Sequence, residues 1–161
     1  MVTVSPPKSE ASASWAYALQ LPNDPLAPRI ARTTLRAVLT GHGMPQLADT
    51  AELLASELVT NAYRYSTGPA TLRLRALGGT RLRVSVWDAN PHIPPPFDKR
   101  SGHPLHPVPA QADGGRGLFL VCHYADAWGG YPLGDGLFGQ GGKLLWCELG
   151  PQAADRAGVV A

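Results

Sequence analysis

The chain has 161 residues, with 14 lysines and arginines against 12 acidic residues, so its formal net charge is +2. This length suits one domain with a core of its own, and the basic residues form no dense run of the kind that binds nucleic acid. No apolar run approaches the roughly 18 residues of a membrane span, and the first residues lack the apolar segment of a signal peptide. Composition therefore predicts a cytoplasmic protein without direct contact to nucleic acid or membrane.

The first half of the chain is predicted to hold one strand and two helices. Residues 1–13 are small, polar and proline-containing, which predicts a disordered leader ahead of a domain at residues 14–150. Residues 14–21 alternate in polarity, as a strand does, and helices are predicted at about residues 25–40 and 45–65. The residues of the first helix expected to face the core are Leu26, Ile30, Thr33, Thr34, Ala37 and Val38.

The second half is predicted to complete a sheet around a long loop. Two alternating segments at residues 70–77 and 81–87 flank Gly78-Gly79, which indicates a hairpin. Residues 90–113 contain seven prolines and no periodicity, which indicates a lid or a binding loop. A glycine turn then opens a short apolar helix, and two strands and a tail at residues 151–161 follow. This order predicts an α+β fold, a two-layer sandwich with a mostly antiparallel sheet and helices on one face.

Two polar residues of the second predicted helix form the first candidate site. Glu57 and Asn61 lie four residues apart, so their side chains share one helix face. The oxygen of Asn61 can hold a hard cation such as Mg²⁺, and Glu57 can orient or deprotonate a hydroxyl or water. Such a pair, taken alone, is more often two ordinary polar residues on a solvated face, so the rest of the chain must support the chemistry.

Two further segments carry residues suited to a nucleotide. Asp88 ends a predicted buried strand, where a carboxylate needs donors such as the exocyclic amine of a nucleobase, although Asp in this position also forms ordinary turns. The Gly114-Gly115-Arg116-Gly117 turn opens a helix, and free amides at a helix N-terminus favour an anion such as phosphate. The alternative for this turn is a plain flexible hinge.

Several other motifs are excluded by their surroundings. Residues 134–139 fit the G-x-G-x-x-G pattern but lead into a predicted strand rather than a helix, and Gly142-Lys143 lacks the remaining residues of a P-loop. The three histidines of the loop, at positions 92, 103 and 106, match no metal-binding spacing. Cys122 and Cys147 lie in apolar surroundings, which predicts buried, reduced thiols.

Taken in order, these segments resemble the ATP-binding domain of the GHKL family, which histidine kinases and gyrase share and which has the Bergerat fold. Within that family they resemble the anti-sigma-factor serine/threonine kinases of bacterial partner-switching systems. Residues 57–62 (Glu-Leu-Val-Thr-Asn-Ala) are similar to the N box, residues 86–90 to the first glycine box, and residues 115–118 to the second. The resemblance covers about residues 14–150.

The resemblance implies a role for each matching position. Glu57 would be the catalytic base, Asn61 would coordinate Mg²⁺, and Asp88 would accept a hydrogen bond from the adenine amine. The backbone of the second glycine box would hold the phosphates, with the lid closing over them. The full nucleotide-binding set that the resemblance implies is Asn61, Arg64, Asp88, Asn90, Gly115, Arg116, Gly117 and Leu118.

The activity implied is transfer of the γ-phosphoryl group of ATP to a serine or threonine of an anti-anti-sigma partner of the STAS type. The same resemblance implies sequestration of a sigma factor and a homodimer. The alternative is a non-catalytic anti-sigma or partner-binding module with weak or no nucleotide binding. Several departures favour that alternative. Asn90 stands where the family has a glycine, and Leu144 or Leu145 stands where a threonine often contacts adenine. The proline-rich lid and the loop at residues 132–142 are also enlarged. A histidine-kinase fragment would need a dimerisation helix pair with an acceptor histidine upstream, and this sequence shows none.

Overall fold

The computed structural model describes residues 14–99, 116–134 and 141–152. Within these ranges five strands form one antiparallel sheet in the order β1-β2-β3-β5-β4, with the helices packed on one face. The strands are β1 (Ala16–Leu21), β2 (Ala70–Leu77), β3 (Arg81–Asp88), β4 (Ala127–Leu133) and β5 (Gly142–Leu149). The helices are α1 (Ala27–Gly41), α2 (Ala48–Tyr65) and α3 (Arg116–Tyr124), with a short 3₁₀ turn at Pro45–Leu47 before α2. The predicted α+β two-layer sandwich of the Bergerat type is confirmed.

Alternating polarity decides which face each strand presents to the helices. Leu74 pairs with Val84 and Val84 with Cys147, and all three are buried in the core between sheet and helices. Arg75 pairs with Arg83 on the opposite face. The predicted hairpin is confirmed, and its turn uses a left-handed backbone at Gly79, with φ of 71°. The alternation thus buries one side of the hairpin only, as expected for a sheet covered on one face.

Polar contacts between α1 and α2 show that the two helices run antiparallel. Arg32 Nη1 donates a hydrogen bond to Ser56 Oγ at 2.7 Å. One helical turn further along α1, and one turn back along α2, Arg36 Nε donates to Glu52 Oε1 at 2.7 Å. The facing surfaces below these contacts are rich in alanine, which lets the helix axes approach closely.

The predicted inner face of the first helix is wrong for several residues. Leu26 and Ile30 are 58% and 48% exposed, and Thr33 and Ala37 are also exposed. The buried residues of α1 are Ala27, Ala31, Leu35 and Leu39, which form a second stripe of period four beside the predicted one. The helix buries the stripe that contains two alanines, because small residues allow a tighter fit against the alanine-rich α2.

The first part of the predicted lid reaches the core through two side chains, those of Phe97 and Ile93. Phe97 is 2% exposed, and its ring lies 5.5 Å from that of Trp128 on β4. Ile93 lies against Gly130 of the same strand. The predicted leader at residues 1–13, the rest of the lid and most of the tail lie outside the described residues. No helix of the described ranges is long and apolar enough to cross a membrane.

Candidate functional site

Four elements bring their polar residues to one end of the sheet. The last two turns of α2 lie here, together with the end of β3, the start of β5 and the start of α3. The β3–β5 register places Asp88 directly opposite Lys143, and Asn90 donates through Nδ2 to the backbone oxygen of Tyr65 at 2.7 Å. Three segments far apart in the sequence are therefore joined at this end by direct hydrogen bonds.

Asn61 has the hydrogen-bonding status expected of a ligand-binding residue. It is only 6% exposed, and its Oδ1 has no hydrogen-bond partner among the described residues. Ser66 Oγ, at the C-terminal end of the same helix, is also buried without a partner there. A buried acceptor without a donor costs about 1–3 kcal/mol, so such groups usually mark a place for water, an ion or a ligand. A hard cation that prefers oxygen ligands, such as Mg²⁺, fits Asn61 Oδ1.

Gly117 lies against the carboxylate of Glu57. A Cβ atom added at Gly117 would overlap Glu57 Oε2 and would stand 2.7 Å from its Cδ. The glycine therefore lets the backbone of α3 approach the half-buried Glu57 more closely than any other residue could. The structure thus joins the predicted N box and the second glycine box at this point.

The other residues of the second glycine box differ in their placement. Leu118 is 4% exposed and belongs to the core rather than to a ligand surface, although its backbone amide remains near the start of α3. Arg116 is exposed at the first position of α3. Gly115 lies outside the described residues. Arg64, in the last turn of α2, is exposed and has no hydrogen bond or ion pair within the described ranges.

Asp88 is buried and forms an ion pair with Lys143. The two side chains are 2% and 1% exposed, and Lys143 Nζ lies 2.9 Å from each carboxylate oxygen. The same ammonium donates to the backbone oxygen of Asn90 at 3.2 Å. Asp88 Oδ1 also accepts from the backbone amide of Asn90 at 2.8 Å, as in an Asx turn. Asp88 therefore forms a turn, as one interpretation of the sequence predicts. It is also a buried hydrogen-bond acceptor, as the other interpretation predicts.

The turn at Asn90 does not use the left-handed backbone that a glycine at this position would favour. The only non-glycine residue with positive φ in the described ranges is Thr80. Instead, the side chain of Asn90 makes two contacts: Nδ2 donates to Tyr65 O, and Oδ1 accepts from the amide of His92 at 3.0 Å. The side-chain amide thereby ties the first glycine box to the end of α2.

Leu144 does not face the predicted adenine pocket. It neighbours Lys143 on β5, so its side chain points to the opposite face of the sheet, where it lines a groove with Trp87 and Tyr131. Leu145 is buried on the helix-covered face, opposite Val86. The expectation that Leu144 or Leu145 replaces an adenine-contacting residue is therefore wrong for Leu144, because strand alternation places its side chain on the opposite face of the sheet.

A cavity of about 500 Å³ lies at the other end of the sheet, around the β2–β3 turn. Trp15, His42 and Thr80 are among its lining residues. None of the buried polar atoms described above line this cavity. The candidate site is therefore at the opposite end of the sheet, where Asn61 and Asp88 lie. The described residues also hold no cluster of three histidine, cysteine, aspartate or glutamate side chains that could bind a metal ion on their own.

Lys143 is the site residue that the sequence interpretation missed. The sequence pattern presents it only as part of an incomplete P-loop. The signal that could have identified it is the alternation of the last strand, where Lys143 shares a face with Leu145, Cys147 and Leu149. A lysine on a buried face of a strand needs a partner, and the neighbouring strand ends with Asp88.

A helix that covers the sheet carries Asn61, whose buried Oδ1 has no partner among the described residues, and Gly117 packs on the same helix; this arrangement fits a nucleotide-binding domain. The chain belongs to the histidine kinase-like ATPase domain family, whose model matches residues 21–131, about two thirds of the sequence. No match was found among curated proteins. Family membership implies ATP binding, which in this family usually involves Mg²⁺.

Proposed function

We propose that the chain is an ATP-dependent serine/threonine kinase of the anti-sigma-factor type. It would transfer the γ-phosphoryl group of ATP to an anti-anti-sigma partner of the STAS type and would also sequester a sigma factor. The observation that carries the proposal is the buried Oδ1 of Asn61, which has no partner in the described ranges and lies one helical turn from a Glu57 carboxylate held against Gly117. An ATPase domain used only for binding would not need a carboxylate at this place.

Each residue has a definite task in this proposal. Asn61 Oδ1 would hold Mg²⁺, which when bound offsets the charge of the phosphates. Glu57 would accept the proton of the attacking serine or threonine hydroxyl. The amides at the start of α3, with Arg116 and Arg64, would position the phosphate oxygens. Catalysis then rests on positioning and charge neutralisation, which is what phosphoryl transfer needs.

The test is transfer of labelled phosphate from ATP to purified STAS-type proteins in the presence of Mg²⁺. We expect label on one partner, retained when Arg75, on the opposite face of the sheet, is changed to Met. Glu57→Gln should lower the transfer rate by about 100-fold or more while ATP still binds, because only the proton acceptor is lost. Absence of transfer to every partner, or unchanged transfer in Glu57→Gln, would refute the kinase proposal.

The second candidate is a non-catalytic anti-sigma or partner-binding module, and one observation favours it. Asp88, the residue proposed to contact adenine, is 2% exposed and already paired with Lys143. If the base pocket stays closed, nucleotide binding is weak. Calorimetry with ATP, ADP and Mg²⁺ separates the two functions: micromolar binding that is abolished by Asn61→Ala supports the kinase, and no binding supports the module.

Partner binding is proposed in both cases. Leu26, directly before α1, and Ile30, one turn further along in the helix, form an exposed apolar pair. Apolar side chains grouped on a surface support a protein-binding role. Co-purification of the wild type and of Ile30→Asp with a sigma factor, a STAS-type protein and a tagged second copy would show whether this surface holds a partner or a homodimer.

A further inference from the structure

Lys143 contacts both carboxylate oxygens of Asp88, whereas the Asn90 amide contacts only one, and the proposed function assigns Lys143 no role. We propose that Lys143 determines base selectivity: it holds Asp88 as an oriented, acceptor-only group, so that the pocket prefers a purine with an amine at position 6 over one with a carbonyl there. This inference rests on the proposed function, since it assumes that a nucleoside triphosphate binds at the Asn61–Asp88 end of the sheet.

The hydrogen bonds around Asp88 leave acceptor capacity on one oxygen. An ionised carboxylate can accept about four hydrogen bonds. Oδ1 accepts from Lys143 Nζ at 2.9 Å and from the Asn90 amide at 2.8 Å, which satisfies that oxygen. Oδ2 has only the Lys143 ammonium, also at 2.9 Å. A base that reaches Asp88 therefore meets an oxygen that can still accept a proton donor.

The ammonium of Lys143 already donates to acceptors within the protein, so it does not itself bind a ligand. Its three protons have three acceptor atoms within 3.2 Å: the two oxygens of Asp88 and the backbone oxygen of Asn90. The residue is 1% exposed. Lys143 consequently acts on the base through Asp88, as a positioning residue, and does not offer a donor to a purine carbonyl.

The fixed start of β5 keeps the ion pair in place. Gly142 has φ of 110°, and a Cβ atom there would overlap the backbone oxygen of Asp88. The β3–β5 register sets Lys143 opposite Asp88 across adjacent strands. The ammonium is thus held by backbone pairing as well as by its side-chain contacts, which gives Asp88 one orientation.

A fixed orientation of Asp88 makes the site selective because purines differ in the group that they present at position 6. Adenine presents an amine at position 6, which donates to a carboxylate oxygen, whereas hypoxanthine and guanine present a carbonyl, which a carboxylate repels. Sites built to hydrogen-bond one group reject an analogue that leaves buried polar atoms unpaired. Without Lys143, Asp88 would be a buried carboxylate with one backbone donor, free to turn away or to take up water.

The experiment compares binding of ATP and inosine triphosphate by calorimetry, with Mg²⁺, to the folded full-length chain. The wild type should prefer ATP by about tenfold or more, the size of one unpaired buried hydrogen bond. Lys143→Met should reduce this preference to less than about threefold. Arg75→Met removes a cation from the opposite face of the sheet and should leave the preference unchanged, and Asn61→Ala should weaken both nucleotides equally.

A second pair of variants tests the orienting role if Lys143→Met does not fold. In Asp88→Asn, the Asn90 amide and Lys143 should both donate to the new amide oxygen at the Oδ1 position. Lys143 then gives up its contact at the Oδ2 position, where the NH₂ group faces the base. The preference should then invert in favour of inosine triphosphate. In the double variant Asp88→Asn, Lys143→Met the amide is no longer oriented, and the two affinities should become equal within about threefold.

The outcomes separate this inference from the function on which it rests. A wild type that binds neither triphosphate refutes ATP binding and this inference with it. A wild type that prefers ATP, with the same preference in Lys143→Met or with equal ratios in Asp88→Asn and the double variant, refutes the role of Lys143 alone. A lower melting temperature with an unchanged preference would show that the ion pair is only structural.

Discussion

Two asparagines at α2, Asn23 and Asn61, differ in the hydrogen bonds that their side chains make. Asn23 Nδ2 donates to the backbone oxygens of Tyr63 and Ser66, at 3.2 and 2.9 Å, and so caps the end of α2. Asn61 lies in the helix, and its buried Oδ1 has no partner in the described part of the chain. At the scale of single residues, an unsatisfied acceptor that folding does not need is the mark of a functional position.

This contrast predicts opposite effects of the same substitution. Asn61→Leu removes an unsatisfied buried oxygen and should stabilise the fold by about 1 kcal/mol while abolishing nucleotide binding. Asn23→Leu removes two hydrogen bonds and should destabilise the fold by about 1 kcal/mol. Urea denaturation of both variants measures the two changes. Destabilisation of both proteins by a similar amount would mean that Asn61 serves the fold rather than a ligand.

Gly117→Ala should separate activity from stability. The added methyl group meets the end of the Glu57 side chain, which is flexible and can move aside at a cost below about 1 kcal/mol. The displaced carboxylate would no longer lie where a hydroxyl proton is taken up, and a misplacement of about 1 Å can lower kcat about 100-fold. Kinase assays and thermal melts check this. Gly68→Ala, where nothing lies within 4 Å, is the control, and equal kcat in both variants would refute it.

At the scale of elements, the alternation of strands and the N-box helix could be predicted from sequence, because period-two and period-four patterns there are unambiguous. The inner face of α1 could not, because two apolar stripes run side by side and only packing against α2 selects one. Lys143 was missed because its partner lies 55 positions away, on a strand whose register no local pattern specifies. Contacts between distant segments are what the sequence alone leaves undetermined.

The junction of β3 and β5 depends on Gly142 more than on any other glycine with positive φ. Gly142→Ala should destabilise the fold by about 3 kcal/mol or more, since it adds backbone overlap with Asp88 to the strain of a left-handed conformation. Gly79 also has positive φ but open space around it, so Gly79→Ala should cost only about 1–2 kcal/mol. Chemical denaturation compares the two, and equal losses would show that the overlap is relieved without cost.

At the scale of the whole molecule, the core between the sheet and the helices includes two buried thiols. Cys122 lies on α3 and Cys147 on β5, and both are free and buried, which confirms the prediction of reduced thiols. Burial raises the pKa of Cys122 from 9.0 to about 12. Burial, with smaller contributions from Cys122 and Glu148, raises the pKa of Cys147 still further. Folding therefore favours the protonated form of both thiols.

The raised pKa values predict how stability changes at high pH. A group whose pKa is higher in the folded state contributes its full stabilisation below its unfolded pKa and loses it as pH rises toward the folded value. For Cys122 that interval runs from about pH 9 to about pH 12. Cys122→Ala has no such thiol, so its stability relative to the wild type should increase when pH is raised from 8 to 10.5. The two proteins share all other titrating groups, so the difference between their urea midpoints reports the loss of this thiol together with its smaller effect on Cys147. A difference independent of pH would show that α3 opens to solvent before the thiol ionises.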